Sequence, residues 1–237
     1  MLKGAEGAAT RRGRTAAMRE RAYEAVKRLL DVVLAAAGLA FLAPLFGVVA
    51  VCIKLDSPGP VFYRGLRTGR YGRPFRVWKF RSMAVGAEAT ASSTAKNDPR
   101  VTRVGRWIRR HKVDELPELI NVVRGEMSLV GPRPEVPRYT DQYEGEEKLI
   151  LSVMPGITDY SSIRFIQLGD VLGEGDPDEA FERMVLPTKN RLRVQYVKDR
   201  SLWLDLKLIA RTLWRIVRRG EGRGSTDGGG PAGPGGG

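Results

Sequence analysis

Apolar and polar positions divide this chain into one long apolar run and a series of short, mixed segments. Residues 32–53 carry no charge; Lys27 and Arg28 precede them and Lys54 follows. A run of 22 uncharged, mostly apolar residues is long enough to cross a bilayer as a helix. A span should show a charge bias between its ends, with the basic flank cytoplasmic. Here both flanks are basic, and Pro44 lies mid-run, where it removes a backbone donor and clashes with the preceding turn. A segment that enters the membrane, bends at Pro44 and returns to the cytoplasmic side satisfies both facts. A straight span and a buried core helix are the alternative readings of the same residues. The long apolar core, its start about thirty residues in and the lack of a small-x-small cleavage site argue against a cleaved signal peptide.

Beyond the run, Asp56-Ser57-Pro58-Gly59-Pro60 marks a turn. Val61-Phe62-Tyr63 and Phe75-Arg76-Val77-Trp78-Lys79-Phe80 predict two short strands, joined through the Gly-rich basic turn of residues 67–74 as a hairpin. Residues 84–99 are small and polar, as in a loop with few apolar anchors. Helices are predicted over 104–110 and about 115–124, the second with Leu116, Leu119, Ile120 and Val123 on one face. Amphipathic helical patterns also cover 135–152 and, interrupted near Pro187, 178–198. Turns are expected at Gly131-Pro132-Arg133-Pro134 and Pro155-Gly156-Ile157-Thr158. In 201–219, Leu202, Leu206, Ile209, Leu213 and Ile216 recur at helical spacing beside Trp203 and Trp214. Lys207, Arg211, Arg215 and Arg218 hold another face. Such a helix suits either a membrane interface or packing on the core.

Charge narrows the class. Lys and Arg outnumber Asp and Glu 40 to 27, a net charge of +13. The excess calls for a polyanionic partner, and the apolar run favours anionic lipid or phosphorylated substrates over nucleic acid. A disordered basic arm (1–22) is expected, with Arg14, Arg19, Arg21, Lys27 and Arg28 resting on anionic headgroups. The Gly/Pro-rich tail (220–237) is expected to be disordered. Asp31, opening the apolar run, needs the interface or a basic partner such as Lys27 or Arg28. One cysteine, Cys52, and one histidine, His111, exclude an intramolecular disulfide and a Cys- or His-rich metal site.

Three basic or acidic constellations could carry chemistry. In Arg109-Arg110-His111-Lys112-Val113-Asp114-Glu115-Leu116-Pro117-Glu118, Asp114 is placed as an N-cap, with Pro117 in the first turn. The helix end would keep its carboxylate ionised and attract a phosphate. Such a carboxylate can attack phosphorus if Mg²⁺ and arginines screen the repulsion. A simple cap is the plainer reading of these ten residues alone. Lys79 and Arg81 in Trp78-Lys79-Phe80-Arg81-Ser82-Met83, with Arg133 in Gly131-Pro132-Arg133-Pro134, could clamp a diphosphate. Mg²⁺ held by one or two carboxylates plus substrate phosphates fits the inventory.

Taken in order, these segments resemble the bacterial sugar transferase family, the monotopic phosphoglycosyl transferases that start glycan assembly on polyprenol phosphate. The resemblance rests on Lys27-Arg28-Leu29-Leu30-Asp31, the Pro-containing run, Lys54-Leu55-Asp56-Ser57-Pro58-Gly59-Pro60-Val61-Phe62 and Trp78-Lys79-Phe80-Arg81-Ser82-Met83. It continues through Val113-Asp114-Glu115-Leu116-Pro117-Glu118-Leu119, Gly125-Glu126-Met127-Ser128-Leu129-Val130-Gly131-Pro132-Arg133-Pro134 and Pro155-Gly156-Ile157-Thr158, covering roughly residues 27–215.

The resemblance implies a two-step transfer of sugar-1-phosphate from a UDP-sugar to polyprenyl (undecaprenyl) phosphate. Asp114 would be the nucleophile, Glu115 would help hold Mg²⁺ with it, and Lys79, Arg109 and Arg133 would sit near the phosphates. The expected fold is α/β and helix-rich. A re-entrant helix-break-helix (23–55) would dock a small cytosolic catalytic domain (56–219) with membrane-surface amphipathic helices on the cytoplasmic face of the cell membrane. Three positions depart from the family pattern. Ala43 replaces the usual Ser before Pro44, Glu118 replaces Gln on the expected far side of the helix turn, and Asp159-Tyr160 replaces Gly-Trp in a region expected to touch nucleotide or sugar. The competing class is a non-catalytic, membrane-anchored binding module or scaffold, in which Asp114 is only a cap.

Overall fold

The computed structural model describes residues 2–87, 98–165 and 177–221. The apolar run lies inside one helix, α1 (Leu2–Asp56), helical at every residue and through Pro44. Neither the break predicted at Pro44 nor the disordered arm predicted for 1–22 is seen in the described part. The reason the helix persists lies in its flanks. Before the proline Ala35 is buried beside Val77, Val122 and Met127; after it Val49 and Ile53 are buried with Phe80, Ile108 and Val113. Asp31, Ala35, Val49 and Ile53 fall on one stripe against the domain, while Leu29, Val33, Phe41, Val48, Val51 and Leu55 form an exposed apolar face.

A basic flank does not here mean a lipid-facing flank. Lys27 Nζ lies 2.7 Å from Asp205 and 3.9 Å from Asp31. Arg28 donates to the Val122 and Val123 carbonyls at 2.7 and 3.2 Å. Asp31 accepts from Ser128 Oγ at 2.7 Å and from the Leu129 N–H at 3.1 Å. The headgroup role expected of Lys27 and Arg28 is therefore replaced by internal pairing, which satisfies the buried carboxylates.

The predicted hairpin forms from β1 (Phe62–Thr68) and β2 (Pro74–Phe80), antiparallel, with Phe62 opposite Phe80 and Tyr63 opposite Lys79. Next come α2 (Arg103–Arg110), a 3₁₀ turn (Val113–Glu115) and α3 (Glu118–Arg124), which ends at Gly125 with φ 84°. A second sheet, missed from sequence, pairs β3 (Ser128–Val130) in parallel with β4 (Gly156–Thr158). Gly131 and Gly156 permit it: a Cβ on either would collide with the other segment's backbone.

The stretch 135–152, predicted as one amphipathic helix, is a short α4 (Pro137–Thr140) followed by a 3₁₀ segment, Gly145–Ser152. Gly145, at φ 49°, separates them. After α5 (Tyr160–Arg164) come α6 (Pro177–Ala180), a π-turn (Phe181–Val185) and α7 (Leu186–Asp199). The interruption foreseen near Pro187 is thus a widened turn. Finally α8 (Leu202–Glu221) packs on the core with one face, as one of the two readings of its pattern predicts. Asp205 and Leu208 pack inward on Tyr196 and Val130, while Trp203, Leu206, Leu213 and Trp214 are exposed. The architecture is helix-rich α/β with two small sheets. Most of the predicted loop at 84–99 and all but the start of the predicted tail lie outside the described residues.

Candidate active site

Four elements meet around Asp114. It sits in the 3₁₀ turn between α2 and α3, 9% exposed, and its Oδ1 has no hydrogen-bond partner among the described residues. It is not the helix cap predicted for it, because Pro117 occupies that position and no side-chain cap bond forms. The turn is entered through Lys112 in the left-handed region, φ 59°, an unusual conformation for a residue with a Cβ. Such local strain persists only where surrounding structure holds it.

Glu115, the next residue, points at two cations. Its Oε1 is 2.5 Å from Arg133 and 3.3 Å from Lys79. Glu118, the first residue of α3, bridges the same two, at 3.1 Å to Arg133 and 3.3 Å to Lys79. Glu118 is 1% exposed and its Oε2 has no partner among the described residues. The sequence places it on the far side of the turn; the short 3₁₀ segment before α3 rotates it inward instead. The sequence carries no signal for this, because Glu118 shares its helix face with Asn121 and Val122 and not with Leu116, Leu119, Ile120 and Val123.

The cations are held by their own scaffolds. Lys79 is fixed by β2, which α3 grips through Asn121. That side chain, fully buried, accepts from the Trp78 N–H at 2.8 Å and donates to the Arg76 carbonyl at 2.9 Å. Arg133 donates to the Ile157 carbonyl at 2.8 Å, and its backbone N–H reaches Asp159 at 3.3 Å. Asp159 is a buried N-cap of α5, accepting from Ser161 Oγ and the Ser162 N–H at 2.7 and 2.6 Å. The Asp159-Tyr160 departure therefore supports the Arg133 strap. Among the described residues, neither Asn121 nor Asp159 was foreseen in these roles.

Two predicted phosphate ligands fare differently. Arg81 is turned away from the cluster and buried, donating to the carbonyls of Pro58 and Ser57 at 2.6 and 2.7 Å. It clamps the turn after α1, so its predicted phosphate role is corrected to a structural one. Arg109, half-buried on α2, has no side-chain partner among the described residues, yet its charge acts on Asp114.

The electrostatics divide the two adjacent acids. Burial, then repulsion from Glu115, pushes the Asp114 carboxyl up to about 6, against the pull of Lys79, Lys112 and Arg109. Burial also acts on Glu115, but Arg133, Lys112 and Lys79 outweigh it and hold Glu115 well below the ordinary carboxylate range. Burial opposes the charge on Arg133, and Glu115 and Glu118 restore it. The predicted role of a helix end in keeping Asp114 ionised is thus replaced by side-chain cations. Orphaned carboxylate oxygens on Asp114 and Glu118 are hard donors suited to Mg²⁺. Among the described residues no group of three or more His, Cys, Asp or Glu converges as a metal site, so a cation here would draw further oxygens from a phosphate substrate or water.

A fold with one long apolar helix that gathers two cations and two acids beside a buried aspartate fits a phosphate-handling class. The chain belongs to the Bacterial sugar transferase family, whose profile matches residues 22–219. It is 40% identical over 195 residues to the UDP-glucose:undecaprenyl-phosphate glucose-1-phosphate transferase of Escherichia coli (strain K12), covering 80% of this chain and 40% of that one. It is 43% identical over 199 residues to the undecaprenyl-phosphate glucose phosphotransferase of Komagataeibacter xylinus, covering 81% and 36%. A putative undecaprenyl-phosphate N-acetylgalactosaminyl 1-phosphate transferase of Bacillus subtilis (strain 168) is 44% identical over 137 residues, covering 57% and 73%. The chain spans about two fifths of the length of the first two relatives.

Proposed function

We propose that this chain transfers sugar-1-phosphate from a UDP-sugar to polyprenyl (undecaprenyl) phosphate, through an aspartyl phospho-sugar on Asp114. The observation that carries it is a buried carboxylate with a free oxygen, set beside the cation pair Lys79 and Arg133. In the first step an Asp114 oxygen attacks the β-phosphorus. The bond from that phosphorus to the bridging oxygen breaks, and UMP leaves with the electron pair. In the second, an oxygen of the acceptor phosphate attacks the same phosphorus, forming the diphosphate and regenerating the Asp114 carboxylate. Lys79 and Arg133 stabilise charge on the transferring group, and Arg109 adds a further positive field. Asp114 and Glu115 would hold Mg²⁺, which would screen carboxylate from diphosphate.

The site is proposed to work at the cytoplasmic face of the cell membrane, with the apolar run of α1 embedded in one leaflet and both of its flanks on the cytoplasmic side. Both flanks of the apolar run in α1 bind the same domain: Lys27 pairs with Asp205, and Asp56 accepts from the Val104 N–H at 2.9 Å. These two ties support the reading that both flanks of the run lie on one side of the bilayer. The exposed apolar face of α1, with Trp203 and Trp214 of α8, would meet the acyl boundary, and Lys207, Arg211 and Arg215 the anionic headgroups. With Cys52 replaced, cysteines at Arg21 and Leu55 should label from the same side; labelling from opposite sides refutes this topology.

The reaction is tested by UMP release from a panel of UDP-hexoses and UDP-N-acetylhexosamines, with Mg²⁺ and polyprenyl phosphate. Release by wild type and none by Asp114→Asn is expected. Equal turnover by both would remove Asp114 as nucleophile.

A further inference from the structure

Glu118 has no part in the two-step scheme, yet it is more deeply buried than Asp114 or Glu115. We propose that Glu118 is a positioning residue that neutralises Lys79 and Arg133, so that the site admits a nucleoside diphosphate together with a divalent cation and disfavours it alone. This rests on the diphosphate reading of the site given above.

Two carboxylates and two cations form a closed set: Glu115 and Glu118 each contact both Lys79 and Arg133. The members are not equivalent. Glu115 stands on a short turn with a side chain 21% exposed, whereas that of Glu118 is 1% exposed. Glu118 also begins α3, which Asn121 fastens to the main chain of β2, the strand that carries Lys79. Glu115, the more exposed, can turn from the two cations towards a divalent ion; Glu118 has nowhere to withdraw. An arriving diphosphate can therefore displace Glu115, but it still meets cations half-neutralised by a fixed charge. Asp114, next to Glu115, adds a further acid. The negative excess is relieved when a divalent cation accompanies the diphosphate, and the orphaned oxygens of Glu118 and Asp114 add acceptors for it or for its waters.

The experiment measures UDP binding by calorimetry to the full chain in detergent, with Mg²⁺ and with chelator. Wild type is expected to bind UDP with Mg²⁺ and at least about tenfold more weakly without it, the scale set by one unit charge close to a bound anion. Glu118→Gln keeps the shape and an acceptor oxygen but removes the charge. It should raise the Mg²⁺-free affinity by about tenfold and shrink the Mg²⁺ ratio accordingly. Glu118→Ala, read in the same assay, should shrink it too, and thermal melts establish that each variant is folded. A Mg²⁺ ratio unchanged in folded variants overturns the inference. So does a wild type that binds UDP equally well in chelator, which needs no variant. A wild type that binds no UDP under either condition sinks the diphosphate reading itself and this inference with it.

Discussion

Replacing Asp114 by Asn should make the protein more stable while removing its chemistry. In the folded chain the Asp114 carboxyl titrates near 6 rather than at 3.8, because burial and Glu115 disfavour its charge. The folded state thus holds this proton more tightly than the unfolded state does. The destabilisation is fully present above about pH 6 and fades as the pH falls towards the unfolded value. A rise of about two units corresponds to a ceiling of ~3 kcal/mol. An Asn amide in the same place leaves a donor short of a partner, which costs roughly 1–3 kcal/mol. The balance is a gain of about 1 kcal/mol near pH 7.5, or roughly 2–4 °C in melting temperature for a chain of this size. Thermal unfolding of both proteins, near pH 7.5 and near pH 4.5, reads the difference directly. The Asn variant should melt higher at the first pH and lose that advantage at the second. A difference between the two proteins that does not change with pH would refute the reasoning, because it would show no charge penalty at Asp114.

UMP release should show an acid limb near pH 6, as the nucleophile takes up its proton; a rate flat down to about pH 5 would contradict the raised Asp114 value. Arg81→Ala should lower stability by roughly 1–3 kcal/mol, since the Ser57 and Pro58 carbonyls lose their donors, while the KM for the UDP-sugar in a UMP-release assay stays near wild type. Asn121→Ala removes a buried link between α3 and β2, and chemical denaturation should register a loss of at least about 2 kcal/mol. Lys112→Gly relieves the left-handed residue before Asp114 but also removes a cation that draws Asp114 down. The acid limb should therefore move to higher pH.

Much of the site was legible because its chemistry is local. Asp114 and Glu115 are adjacent, and Lys79 and Arg133 stand in short motifs whose charge is visible in the chain. What was hidden depended on rotation and on long-range pairing. A single 3₁₀ turn decides whether Glu118 faces the cations or solvent, and no periodicity over five residues reports that. Arg81 lies two residues from Lys79 and so shares its strand face in an ideal pleat, but the strand ends at Phe80 and Arg81 turns to the Ser57-Pro58 corner. β3 and β4 are three residues each and pair in parallel across a long connection, so β3 went unassigned and β4 read as a turn. The hairpin was legible because its turn is short and its strands are rich in aromatic and β-branched residues. α1 was legible as an apolar helix, but its buried stripe was masked by the uniform hydrophobicity around it.

The pairing of Lys27 with Asp205 also sets an order of events at the ribosome. The two residues are 178 positions apart, so the N-terminal helix is complete long before its partner exists. At ordinary synthesis rates the interval is roughly ten to forty seconds. Throughout it Lys27 lacks Asp205 and has only Asp31 as a carboxylate partner, while Asp31 gains Ser128 and Leu129 about midway. Under the proposed membrane docking, the bilayer is the first solvent the helix meets, and the domain assembles on a helix already lodged there. Chains truncated before Ser201 should be bound to membranes yet show α1 open to proteases, with protection arriving only once α8 is made.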